Sequence, residues 1–223
     1  MTTIGDIISH VESLTGHPLN GDEGVHFGPA ERTVTGATVC WMATPDAIRA
    51  AGEAGHDLLI GHESLFYPYD VVNMETPPDG WQSWQVNAQR AQLLEQYGLT
   101  HLRLHGSVDE ICIFDDFAAL LGLWKAAYAE GFVKVYKEPP RSIRSWVETV
   151  KTAMDMDGLR VSGLARPDDL DRMVSRIGLP WGGLGLFVNV GYQQSLIEQG
   201  CDLFIAGESD NYGFRFAQEC GIP

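Results

Sequence analysis

Residues 53–64 of the chain read EAGHDLLIGHES, and residues 198–209 read EQGCDLFIAGES. Seven of these twelve aligned positions are identical. Each copy has the pattern of a helix end, a turn at a Gly, a short buried strand and a polar loop that carries Glu-Ser. The repeat predicts two related α/β halves with Glu63 and Glu208 at equivalent strand ends. A chance likeness between two helix–turn–strand units is the alternative interpretation.

The residues before the first copy complete a β-α-β unit. A strand is predicted over 34–42, followed by Thr44 as a helix N-cap and Pro45 at the first helical position. This helix is expected to end near Gly55, before a second strand at 57–60. Strand, helix and strand in this order favour a parallel sheet with a right-handed crossover. Ligands of such sheets bind at the carboxyl ends of the strands.

Apolar spacing and turn residues predict the remaining elements more coarsely. The predicted helices cover 4–14, 83–97, 115–121 and 143–154. Further strands are predicted at 99–104, around Val161 and at 187–190. Glycine-rich residues 21–28 and aromatic- and proline-rich residues 62–80 are predicted to be loops.

Composition excludes several classes of protein. The chain has 30 acidic and 15 basic residues and a formal net charge of -15, which disfavours binding to nucleic acid or to a membrane surface. The apolar stretches are strand-sized, and the N-terminal residues lack the pattern of a signal peptide. The four cysteines are widely spaced, so we expect reduced thiols and a cytoplasmic protein.

Two pairs of polar side chains follow two predicted strands. His62 and Glu63 directly follow the strand at 57–60, and His105 and Asp109 follow the strand at 99–104. Imidazole nitrogen together with carboxylate oxygen suits zinc, iron or manganese. These four residues therefore form a candidate pocket for a divalent metal ion. The alternative is that the histidines are hydrogen-bonded structural residues.

Neighbouring residues allow further expectations. Arg103 and His101 share a strand face with His105 and are candidates to support the site, because side chains alternate along a strand. Ser64 and Ser209 are interpreted as caps rather than nucleophiles, since GHESL is not a G-x-S-x-G motif. The aromatic side chains of the 62–84 segment line a pocket, form a subunit contact or pack in the core.

Several motifs together resemble the NIF-three-like family, the dinuclear-metal-centre proteins once described as GTP cyclohydrolase type two homologues. The resemblance covers nearly the whole chain. It rests on these matches: Gly24 and Gly28, residues 57–62 before the family's His-His-Pro, His105 to Asp109 as its His-x-x-x-Asp, residues 115–123, and residues 200–208 as its Gly-x-Asp…Thr-Gly-Glu.

The resemblance implies an interlocked three-layer α/β/α fold whose two halves are related by internal pseudo-symmetry. It also implies a homohexamer with metal pairs facing its cavity, and His62, His105 and Asp109 as metal ligands. Glu63 stands where the family has the second His of His-His-Pro. The family's final Gly-His…Glu ligand pair is expected just beyond Pro223. We expect a first lobe at 1–125 with the ligand motifs and a second at 126–223.

Two main functions and one simpler alternative follow. The first is a metal-dependent hydrolase of phosphoester, nucleotide or cyclic small molecules, in which Glu208 positions or deprotonates water. The second is a non-catalytic metal-binding assembly or adaptor protein. The third is an oligomeric α/β domain whose ancestral site has decayed.

Overall fold

The computed structural model describes residues 1–223, which divide into two compact units, Met1–Ile113 and Phe114–Pro223. Each unit contains one four-stranded sheet with helices, so the predicted α/β class is confirmed. The sequence-based division after residue 125 assigns the helix at Phe114–Leu120 to the first lobe. In the structure, Phe114 and Phe117 of this helix pack in the core of the second unit. No helix is long and apolar enough to cross a bilayer.

The first unit is built around a sheet with the strand order β1-β4-β3-β2. Its elements are α1 (Ile4–Thr15), β1 (Gly24–Phe27), β2 (Ala37–Cys40), α2 (Pro45–Glu53), β3 (Leu58–Gly61), α3 (Gln85–Tyr97), β4 (Thr100–Arg103) and the short α4 (Gly106–Val108). A π-helical turn, Asp109–Ile113, follows α4.

The predicted β-α-β unit is present. β2 pairs with β3 in parallel, and β4 continues the parallel pairing on the other side of β3. The Thr44 hydroxyl accepts a hydrogen bond from the Ala47 N–H at 3.2 Å, and Pro45 is the first residue of α2, as the sequence predicted. Gly55 has φ of 72°, the left-handed conformation expected where the chain leaves this helix.

Apolar side chains cover both faces of this sheet, which places it between helices. One face packs with α1 through Ile4, Val11, Leu58, Leu102 and Leu104. The other packs with α2 and α3 through residues that include Ile48, Leu59, Leu94 and Leu99. Buried on both faces, β3 and β4 are rigid supports for the residues that follow them.

The prediction that residues 21–28 form only a loop was wrong. Gly24–Phe27 form β1, which pairs antiparallel with β4 and contains an irregularity between Val25 and Phe27. The strand is short and only half-buried, so its own sequence carries little alternation. Its strand conformation depends on pairing with β4, a partner far away in the sequence.

The second unit has a sheet in the order β5-β6-β7-β8. Its elements are α5 (Phe114–Leu120), β5 (Ala126–Glu130), β6 (Val133–Ser142), α6 (Ile143–Ala153), β7 (Met173–Gly178), α7 (Val190–Glu198), β8 (Leu203–Phe204) and α8 (Asn211–Glu219). β5, β6 and β7 pair antiparallel, whereas β8 is parallel to β7.

Two strand predictions in this unit were wrong. No strand forms around Val161, and Phe187–Asn189 form a 3-10 turn that leads into α7. Val188 is 82% exposed, so its β-branched side chain is not part of a buried strand. The turn is instead held by the Asp210 carboxylate, which accepts a hydrogen bond from the Phe187 N–H.

The sequence repeat corresponds to a repeated structure. Gly55 and Gly200 have φ of 72° and 78°, and each lies between a helix and a short parallel strand. The Asp57 carboxylate accepts two consecutive backbone N–H groups near the start of β2, at 3.0 and 3.4 Å. The Asp202 carboxylate accepts two consecutive N–H groups of β7, at 3.0 and 2.8 Å. The Gly and the Asp that the two copies share therefore have the same structural roles.

Candidate metal centre

The candidate site begins where β3 and β4 end. The two strands are parallel, and Gly61 at the end of β3 pairs with Arg103 at the end of β4. His62 and Glu63 leave β3 at the same edge of the sheet at which His105 follows β4. The Glu63 N–H donates to the Trp41 carbonyl oxygen at 2.8 Å, which fixes the backbone beside β2.

The structure brings the four predicted residues together. One ligand atom from each of His62, Glu63 and His105 lies within 4.8 Å of the others. Asp109, the first residue of the π-helical turn, places its Oδ1 3.3 Å from His62 Nε2. The side chains of His62, Glu63 and Asp109 are 8%, 19% and 14% exposed, so water has limited access to them.

The donor set fits a divalent cation. His62 Nδ1 lies 3.4 Å from Glu63 Oε1, and His62 Nε2 lies 3.3 Å from Asp109 Oδ1. Because Nδ1 and Nε2 lie on opposite sides of the imidazole ring, a cation bound at one nitrogen meets one of the two carboxylates, and the other carboxylate accepts a hydrogen bond from the second ring nitrogen. Nitrogen and carboxylate oxygen donors suit zinc, iron or manganese.

Without a cation, His62 is held in its protonated form. Burial of the imidazole opposes protonation, but hydrogen bonds to Asp109 and Glu63 outweigh it and raise the pKa of His62 to about 9. The hydrogen bond to His62 also lowers the pKa of Glu63. A divalent cation that binds His62 displaces its proton and adds one positive charge, which the neighbouring carboxylates favour.

Asp22, which the sequence analysis missed, holds His105. Its Oδ2 lies 2.7 Å from His105 Nδ1, and this hydrogen bond lowers the pKa of Asp22. The bond leaves His105 Nε2 as the nitrogen available to a metal ion. Glu23 accepts hydrogen bonds from the backbone N–H groups of His105 and Ser107. The signal in the sequence was an Asp-Glu pair before Gly24, inside a segment predicted to be a loop.

Arg103 ties the supporting residues together. Its side chain is fully buried, and its Nη1 lies 3.2 Å from Asp22 Oδ2 and 3.2 Å from Asp70 Oδ1. Its Nε donates to the His62 carbonyl oxygen at 3.1 Å. Arg103 therefore supports the site, as expected from its position on the same strand face as His105. His101, on the same face, is also fully buried, but neither ring nitrogen has a hydrogen-bond partner.

The remaining predicted residues lie elsewhere or act locally. Glu208 lies in the second unit, in the loop after β8, and its side chain is exposed. The Ser64 hydroxyl accepts a hydrogen bond from the Asp70 N–H, and the Ser209 hydroxyl donates to the Gly185 carbonyl oxygen, both at 2.7 Å. The two serines thus hold loops, in agreement with their interpretation as caps.

The sequence profile of one protein family matches residues 2–223. The family is described as Duf34/NIF3 (NGG1p interacting factor 3). No curated protein matches the chain.

Several solved structures are similar to the whole chain. A Staphylococcus aureus hypothetical protein, SA1388, is 14% identical with a TM-score of 0.75, and the match covers 99% of this chain and 83% of that one. A Bacillus cereus protein related to NIF3 is 14% identical with a TM-score of 0.75, covering 100% and 86%. Reduced HcgD from Methanocaldococcus jannaschii is 17% identical with a TM-score of 0.70, covering 99% and 85%. At these identities the similarity shows the fold.

Proposed function

This chain belongs to the Duf34/NIF3 family, and on that premise we propose that it is a metal-binding protein that hydrolyses phosphoester, nucleotide or cyclic substrates. The observation that carries the proposal is the cluster of His62, Glu63 and His105, with Asp109 beside it. Three donors of these types leave the fourth position of a four-coordinate zinc ion open for water, and they also suit iron or manganese.

The residues around the site have distinct parts in this proposal. A divalent cation in the pocket supplies a Lewis acid and lowers the pKa of water. Glu63 and Asp109 balance the charge of the cation and, with His62, limit the access of bulk solvent. Asp22 keeps His105 in one tautomer and orientation. Glu208 is assigned the positioning or deprotonation of the attacking water, from its equivalence to Glu63 in the repeat.

The test is hydrolysis of a panel of phosphomonoesters, phosphodiesters and cyclic nucleotides by metal-loaded protein. We expect His105→Ala and Asp109→Ala to abolish turnover. His10→Ala is the matched control, because His10 is an exposed residue of α1. Hydrolysis that survives both site substitutions would show that the activity does not come from this cluster.

The second candidate is a non-catalytic metal-binding assembly or adaptor protein, with the homohexamer implied by the family resemblance. Phe187 and Tyr212 form an exposed apolar patch, because their ring centroids lie 5.4 Å apart and they are 52% and 69% exposed. The adjoining Val188 is 82% exposed, and contiguous exposed apolar surface is typical of a contact site. Metal-loaded assemblies that turn over none of the panel would favour this function. For either function we propose a cytoplasmic location, which four free cysteines support.

A further inference from the structure

Two half-exposed aromatic side chains flank the candidate metal centre, one at each imidazole. The Trp41 ring stacks on the His62 ring, with centroids 3.9 Å apart and an interplanar angle of 13°. The Tyr69 ring lies edge-on to the His105 ring, with centroids 6.5 Å apart. Trp41 is 48% exposed and Tyr69 is 54% exposed, although both lie beside buried polar groups.

The backbone of Trp41 is held firmly, and its indole rests on the His62 ring. Its carbonyl oxygen accepts hydrogen bonds from the N–H groups of His62 at 3.1 Å and Glu63 at 2.8 Å. It directly follows Cys40, which pairs with Gly61 in the β2–β3 ladder. One face of the indole is covered by His62, so the exposed area belongs to the other face and the ring edges. The site thus presents a rigid, flat, apolar surface a few ångströms from a candidate ligand.

Tyr69 is equally well fixed. Its hydroxyl accepts a hydrogen bond from Arg103 Nη2 at 2.9 Å, and the Arg103 guanidinium lies 5.1 Å from the centroid of its ring. Arg103 is fully buried and is anchored in turn by Asp22 and Asp70. The Tyr69 ring is therefore fixed through its own side chain, and it bounds the site beside His105.

On the basis of the proposed function, we propose that the free face of Trp41 is an aromatic platform that binds the planar heteroaromatic ring of a nucleoside monophosphate. A ring stacked on the free face of Trp41 lies about 3.5–4.0 Å beyond the indole. The base then lies on the side of the indole away from His62, and the sugar carries the phosphate round the indole edge towards His62, Glu63 and His105, where a bound cation would take it.

The charge of the pocket limits the number of phosphate groups that a bound ligand carries. Besides Glu63 and Asp109, the surrounding carboxylates are Asp22, Glu23 and Asp70, against one guanidinium, that of Arg103. Each phosphate of a ligand is repelled by these carboxylates, so a di- or triphosphate is repelled more strongly than a monophosphate. The pocket therefore favours an uncharged ring with a single phosphoryl group.

The experiment compares two ligands, one with and one without the heteroaromatic base. Adenosine 5′-monophosphate and ribose 5-phosphate are titrated calorimetrically into the zinc- or manganese-loaded full chain. Stacking of a base on an aromatic side chain predicts about 5- to 150-fold tighter binding of the nucleotide. Trp41→Leu is expected to remove this preference, and Trp41→Phe, which keeps a ring, is expected to retain part of it. Equal affinity of the wild type for both ligands would overturn the platform.

Controls separate this inference from the proposed function. Trp124→Leu removes a more exposed tryptophan of the second unit and is expected to keep the full preference. A wild type without bound metal contradicts the proposed function, whereas a metal-loaded wild type without ring preference contradicts only the platform. If Trp41→Leu loses its metal, Trp41→Phe becomes the deciding variant. An undiminished preference of Trp41→Phe for the nucleotide over ribose 5-phosphate would count against Trp41. A change of assembly mass in Trp41→Leu would assign Trp41 to a subunit contact and overturn the proposal.

Discussion

At the scale of single residues, the candidate ligands depend on side chains that bind no metal themselves. His105 follows β4, but its ring is oriented by Asp22, which precedes β1. Asp22 is held in turn by the buried Arg103. The ligand types could be predicted from their place after two strands. The Asp22 support could not, because it depends on a contact between residues 83 positions apart.

We predict that Asp22→Asn weakens metal binding by about 10- to 100-fold, the usual effect of removing a carboxylate that orients a histidine ligand. Asn keeps the size of the side chain but removes the charge that favours one tautomer of His105. The affinity is measured by competition with a chromophoric chelator. Asp46→Asn serves as the control, because the Asp46 side chain is 94% exposed and pairs only with Arg49 in its own helix. An Asp22→Asn protein with wild-type affinity would refute the orienting role.

The burial of His101 leads us to predict that the stability of the fold depends on pH. Burial, together with the nearby charges of His26, Arg103 and Arg90, lowers the pKa of His101 to about 3. The unfolded chain, with a pKa near 6.5, binds this proton first as the pH falls. The free energy of unfolding therefore decreases below about pH 6.5, by about 1.4 kcal/mol per pH unit for this group, and the decrease ends near pH 3.

Urea unfolding at pH 6.5 and 5.5 measures this effect. His101→Leu removes the titrating ring and should show a correspondingly smaller loss between the two pH values than the wild type. Identical losses in the two proteins would mean that His101 keeps an ordinary pKa in the folded state.

At the scale of the elements, local signals were sufficient where the structure is determined locally. Thr44 and Pro45 mark the start of α2, and Gly98, with φ of 61°, marks the end of α3. β1 was missed because its strand conformation depends on pairing with β4. The apolar run at Phe187 was assigned to a strand because composition alone does not show whether it is buried.

The packing of β3 against β4 gives a prediction about Gly61. A Cβ at this position would lie 2.6 Å from His101 Nε2, and the fully buried His101 has no free space to move into. We expect Gly61→Ala to lower the free energy of unfolding by about 1–3 kcal/mol, the usual cost of overpacking. Gly191→Ala is the matched control in the exposed part of α7, where a Cβ meets nothing within 4 Å. A Gly61→Ala protein as stable as this control would contradict the packing.

At the scale of the whole molecule, the twelve-residue repeat was the most informative part of the sequence. It predicted two related α/β halves, and the structure has one sheet in each unit, with Gly and Asp in the same roles in both copies. It did not predict that the sheets are mixed. The antiparallel strands β5 to β7 have no counterpart in the repeated stretch, and their pairing is set by contacts outside it.

Assembly gives a prediction at the scale of the whole molecule. We expect sedimentation equilibrium to give six times the mass of one chain, in line with the family resemblance and the exposed apolar side chains of the second unit. Val188→Asp and Tyr212→Asp place a charge on that surface and should shift the population to smaller species. A wild type that sediments as a single chain would contradict the hexamer while leaving the metal site untouched.

The metal content of the purified chain is the most direct test of the account. It is measured by elemental mass spectrometry on protein prepared without chelators or a histidine tag, with His105→Ala and Asp109→Ala prepared alongside. We expect about one zinc, iron or manganese ion per chain, or more, in the wild type, and a loss of that metal in both variants. A wild type that binds none of these ions after incubation with each, or variants that keep the metal, would contradict a metal centre at His62, Glu63, His105 and Asp109.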